Sequence, residues 1–137
     1  MASEDQAPGR PLSEDAYLGR NIDDLPQLWD GFAKLVREGL GISGFGAQIM
    51  DLPPDYSTRS HNEGDSGQQE LYIALRGSGA VVVHTEPEQR LELDSDHLAA
   101  VGPAVERTLT SGADGMRVLC VGGTPGKPYE APGWTTG

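Results

Sequence analysis

Apolar residues follow two different rhythms along this chain. Between Leu25 and Leu40, the residues Leu25, Leu28, Trp29, Phe32, Leu35 and Val36 recur at steps of three and four, and Gly39 and Gly41 stand where a helix would stop. That period predicts an amphipathic helix over about residues 26–38, its apolar stripe covering whatever the rest of the chain builds. From about residue 42 the rhythm shortens to two. Phe45 to Leu52 reads as a strand ended by Pro53-Pro54, because proline cannot donate to a ladder. Asp55 to Gly67 is turn-rich, Glu70 to Leu75 resumes a strand, and Gly77-Ser78-Gly79 reads as a hairpin turn into Ala80 to His84. Leu91 to Leu93, Leu98 to Val101, Thr108-Leu109 and Arg117 to Val121 complete the set. Eight or more short strands over about residues 42–123 are therefore expected, closing into an all-β barrel or sandwich.

Organisation follows from the same pattern. Residues 1–24 are expected to be a mostly flexible N-terminal segment, with Met1 to Leu12 offering almost nothing to bury. Residues 25–137 form one domain: the helix, the barrel and a Pro- and Gly-rich tail over residues 124–137, in which Tyr129 and Trp134 pack back onto the barrel. A length of 137 residues suits a single core, and 19 Gly and 10 Pro suit short strands joined by many turns.

Charge narrows the function classes. A net charge of -11 with only ten Lys and Arg excludes a phosphate-binding surface, so neither nucleic acid nor an anionic membrane is an expected partner. No apolar run approaches the roughly 20 residues of a membrane-spanning helix, and the first residues lack a secretory pattern. The single cysteine, Cys120, cannot form an intrachain disulfide and lies in Val118-Leu119-Cys120-Val121, where it reads as a buried small hydrophobe. A reducing, cytoplasmic location is the expectation.

Candidate chemistry concentrates around Glu70. Upstream lies Ser60-His61-Asn62-Glu63-Gly64-Asp65, downstream the Leu75-Arg76-Gly77-Ser78-Gly79 segment, and further on Gly102-Pro103-Ala104-Val105-Glu106-Arg107-Thr108. Glu70 and Gly77 reproduce the second half of the pattern G-x5-HxH-x3,4-E-x6-G, and residues 42–134 with these segments resemble the cupin family, small single-domain bacterial members in particular. The resemblance implies a double-stranded β-helix or jelly-roll barrel with a ligand cavity, and commonly a homodimer. It also implies a divalent metal (iron, manganese, zinc or nickel) held by motif histidines. Here the motifs are degenerate: one histidine, His61, stands for the pair, and Arg107 or Thr108 stands where the third histidine ligand would be.

Within that frame Glu70, Tyr72 and Ala74 alternate onto one face and should share a cavity wall. His61, Glu70, Tyr72 and Arg107 are the expected ligand-binding set, with Arg107 neutralising Glu70. A metal site, if formed, would use His61, Glu70 and a loop carboxylate, Glu63 or Asp65. His84 and His97 flank acidic turns and are expected at the surface. Three functions remain open on this reading: a small-polar-molecule binder with the metal site degraded or absent, a metal-dependent oxygenase, isomerase or cyclase, and a structural or regulatory dimer with no ligand.

Overall fold

The computed structural model describes residues 10–136. Among them the strands form one antiparallel sheet of seven members, bent into a barrel of the cupin type: β1 (Gln27–Leu28), β2 (Ala33–Leu35), β3 (Gly46–Leu52), β4 (Gln69–Val83), β5 (Gln89–Leu93), β6 (Leu98–Val101) and β7 (Arg107–Gly123). The order is β1-β2-β3-β7-β4-β5, with β6 on the free side of β4. The all-β architecture expected from the period-two runs is thus present, with fewer and longer strands than expected.

The long strands explain the difference. β4 and β7 pair along nearly their whole lengths, from Gln69↔Gly123 to Val83↔Arg107, and bend together where the register shifts between Ala74 and Gly79. Gly77-Ser78-Gly79 is therefore a bulged bend within one strand, and the hairpin turn expected there is corrected. Both glycines are needed for close approach: Gly77 has φ 72, and a Cβ on Gly77 or Gly79 would collide with the carbonyl oxygen of Gly115 or Thr110 respectively. By bending, β4 pairs with β6 through Glu70 to Ile73 and with β5 through Gly79 to Val83, so one strand serves both walls.

The expected helix over residues 26–38 is also corrected. Within that stretch the helix begins only at Val36, as α1 (Val36–Leu40), and the residues before it form the β1–β2 hairpin. Trp29, Asp30 and Gly31 turn in the left-handed region at φ 53, 57 and 87, and Leu28 faces Ala33 across the loop. Asp30-Gly31 is a hairpin signal that the three-and-four spacing of the apolar residues masks. A half-buried ionic layer fastens this hairpin: Lys34 Nζ sits 2.7 Å from Asp51, and Arg117 Nε sits 2.7 Å from the other oxygen of the same carboxylate.

Residues 1–9 of the segment expected to be flexible lie outside the described residues. The rest of it is held to the barrel, Leu12 donating its amide to the Gly41 carbonyl at 2.7 Å and Arg20 Nε to the Gly39 carbonyl at 2.9 Å. The turn-rich segment Asp55 to Gly67 is partly extended, because Ser57 bridges Thr110 and His61 bridges Arg107 along the free side of β7. The apolar core, including Leu52, Val83, Leu93, Val101, Met116 and Val118, lies between the two walls. Tyr72, Val81, Leu109 and Cys120 belong both to this core and to the floor of a cavity above it. No described helix is long and apolar enough to cross a membrane.

Candidate functional site

Glu70 and Tyr72 are two residues apart on β4, so both project into the barrel, where they are 8% and 2% exposed. Arg107 opens β7 and is 1% exposed, pinned between Val83 of β4 and His61, with which it exchanges both backbone hydrogen bonds (3.0 and 2.9 Å). The fold brings the four expected ligand-binding residues, His61, Glu70, Tyr72 and Arg107, into one cluster.

Its hydrogen bonds are nearly complete. Arg107 Nη2 donates to Glu70 Oε1, its Nε donates to the Tyr72 hydroxyl at 3.3 Å, and its Nη1 donates to the carbonyls of Val105 and Gly102 at 2.9 and 3.3 Å. Tyr72 donates its hydroxyl proton to Glu70 Oε1 at 2.8 Å, and the Cys120 thiol donates to Oε2 at 3.3 Å. His61 Nε2 lies 3.3 Å from Glu63 and 3.7 Å from Glu70.

Electrostatics follow from these contacts. Burial works against the Glu70 charge, yet bonds from His61, Tyr72 and Arg107 outweigh it and hold the carboxyl at about 2. Bonds to Glu63 and then Glu70 raise His61 to about 9, so it is an imidazolium at neutral pH. Burial, with Cys120 and Glu70 nearby, pushes the Tyr72 phenol far up and keeps it a donor. Burial and Glu70 likewise raise the Cys120 thiol, which suits an inert buried group rather than a nucleophile.

The atoms of His61, Glu63 and Glu70 that could ligate a cation lie within 4.8 Å of one another, while Asp65 is exposed and outside that group. Those donor atoms already have other partners. Both Glu70 oxygens already accept from Tyr72, Arg107 and Cys120, the single imidazole is engaged with carboxylates, and a permanent guanidinium touches the central ligand.

Above the cluster opens a cavity of about 910 Å³. Its polar end carries His61, Glu63, Glu70 and Arg107, with Arg59, Gln48 and Gln68 also on the wall. Six aromatic residues form much of the remaining wall. Trp29 stacks on Trp134 with centroids 5.4 Å apart, and Phe32 meets Tyr56 edge-on at 5.7 Å. Tyr129 also lines the cavity, beneath the Arg37 guanidinium at 5.1 Å, and fits there because Gly46 has no side chain.

Sequence reasoning singled out Tyr129 and Trp134 only as packing residues, and it missed Trp29, Phe32, Tyr56 and Arg59 as cavity residues. Asp30-Gly31 after Trp29, and the β-forming Tyr56-Ser57-Thr58 within a supposed turn region, are the signals that could have placed them. His84 and His97 lie away from the cavity, as expected, hydrogen-bonded to Glu88 and Asp94 at 2.9 and 2.8 Å.

Comparison with known proteins gives a fold and no closer relationship. No protein-family model matches the chain, and no curated protein matches it. Among solved structures, it is similar to a cupin protein from Bacteroides fragilis at 19% identity and a TM-score of 0.61, covering 88% of this chain and 94% of that one. It is also similar to oxalate decarboxylase from Bacillus subtilis at 18% identity and a TM-score of 0.61, over 75% of this chain and only 28% of that one. The same decarboxylase is described with Mn(II) centres. Vicilin from tomato matches at 12% identity and a TM-score of 0.54, over 64% of this chain and 25% of that one.

Proposed function

Starting from a chain that has the cupin fold, we propose that it binds a small polar organic molecule in its barrel cavity through side chains alone, the metal site of the fold being degraded. One observation carries this reading: the Arg107 guanidinium is buried against Glu70, inside the cluster where a cation would have to sit. A buried Arg and carboxylate with neutral donors around them form a preorganised polar wall, and a ligand's hydroxyl or carboxylate can bond to His61 beside it. A cavity of about 910 Å³ is the size of a drug-like ligand site and does not suit a barrel with a purely structural role.

A second reading is a metal-dependent enzyme acting on a small metabolite. It is favoured by the His61, Glu63 and Glu70 grouping and by the Mn(II) centres described for oxalate decarboxylase.

Elemental analysis of tag-free protein, with calorimetric titration of manganese, iron, zinc and nickel, separates the two. Binding well below one equivalent, together with a thermal-shift response to polar metabolites, supports the metal-free binder. Near-equimolar tight metal binding abolished by His61→Ala overturns it.

A further inference from the structure

The chain has two Phe, two Trp and four Tyr, and all of them except Tyr17 and Phe45 line this cavity. Tyr72 among them is part of the buried apolar core and Phe32 packs against it; the rest of the buried core is aliphatic residues, Met and Cys. An aromatic-poor protein has therefore gathered most of its rings around one cavity, where they pack in pairs on its wall. Two are markedly exposed, Trp29 at 57% and Tyr56 at 41%.

Trp29 is held at the cavity by a backbone at φ 53, a conformation that a bulky residue rarely adopts and that persists only where surrounding contacts enforce it. Its ring stacks on Trp134, so the β1–β2 turn and the C-terminal tail close on each other at the cavity wall.

Charge on the same wall has a direction too. Arg107 is committed to Glu70, but Arg59 lines the cavity with no carboxylate partner among the described residues. In a chain of net charge -11 with ten basic residues, a cavity-lining arginine with no carboxylate partner among the described residues is an anion site more readily than a solubility device.

Resting on the cavity-binding reading above, we propose that the ligand is a flat aromatic carboxylate, its ring against Trp29, Phe32, Tyr56 and Trp134 and its carboxylate paired with Arg59. An aromatic face stacks on the rings, and the guanidinium supplies a planar fork matching a carboxylate.

The test uses the intact protein and matched probes in isothermal titration calorimetry: 2-naphthylacetate, 1-adamantaneacetate (same charge and similar bulk, no π-face) and 2-naphthaleneethanol (same ring, no charge). The expected result is that 2-naphthylacetate binds at least about tenfold more tightly than either control. Arg59→Gln, at an exposed position that should not disturb folding, is expected to weaken 2-naphthylacetate about tenfold while leaving 2-naphthaleneethanol unchanged. Trp29→Gly should weaken both ring-bearing probes, with circular dichroism and melting temperature showing that the fold persists.

Equal binding of 1-adamantaneacetate overturns the ring assignment, and equal binding of 2-naphthaleneethanol overturns the anion assignment. If no aromatic acid binds but an aliphatic polar metabolite does, the proposal fails and cavity binding stands. If neither these probes nor a broad metabolite library binds, both fail.

Discussion

Replacing Arg107 by methionine tests the electrostatic centre of the site. The substitution keeps an unbranched stem of similar reach but leaves Glu70, 8% exposed, without its guanidinium partner. Breaking a buried ion pair from one side costs about 3–5 kcal/mol, because a carboxylate is left desolvated and unpaired. The Glu70 carboxyl, held at about 2 by His61, Tyr72 and Arg107 together, points in the same direction. For a chain of this size each kcal/mol lowers the melting temperature by about 4 °C, so Arg107→Met should melt about 12–20 °C below the parent by differential scanning calorimetry at pH 7. The double variant Glu70→Gln with Arg107→Met removes both charges and should recover most of that loss. A single-variant loss under about 1 kcal/mol, or a double variant no better than the single, would refute the argument that the pair is a coupled buried unit.

Other expectations are as direct. Stability should fall on both sides of neutrality. Glu70, depressed in the folded state, contributes fully above about pH 4.5 and loses that contribution as pH falls toward about 2. His61, raised to about 9, contributes fully below about 6.5 and loses its contribution as pH rises through 9, so melting curves of His61→Gln should lack the alkaline limb. Gly79→Ala should unfold the protein or lower its urea midpoint severely, since its Cβ would meet the Thr110 carbonyl, whereas Gly102→Ala, with open space around it, should be nearly neutral. Cys120 should resist Ellman's reagent in the native state and react at once in denaturant; rapid native modification would contradict its burial. The chain is expected to sediment as a homodimer at micromolar concentration, and a monomer mass throughout that range would count against a dimer.

What could be read from the sequence was whatever depends on neighbours along the chain. Alternating apolar residues bounded by Gly and Pro identified β structure from Phe45 onward, and alternation alone placed Glu70 and Tyr72 on one inward face. Local pattern misled where two structures share a period. The apolar steps from Leu25 to Val36 suit a helix, but the left-handed turn at Trp29-Asp30-Gly31 and the pairing of Ala33 to Leu35 with Gln48 to Met50 made a hairpin. Gly77 and Gly79 looked like a turn because a glycine pair carries no sign of whether the chain reverses or another backbone comes close. The family resemblance already suggested His61, Glu70, Tyr72 and Arg107 as one set, but their contacts were decided by tertiary structure. Arg107 follows Glu70 by 37 residues and becomes its partner only because the start of β7 is held between β4 and the His61 segment. The aromatic wall gathers Trp29, Phe32, Tyr56, Tyr129 and Trp134 from the hairpin, the Asp55 to Gly67 segment and the tail, segments with no shared periodicity to betray their meeting. Alternation tells a residue which way to face; only the bending of the sheet into a barrel determines what it faces.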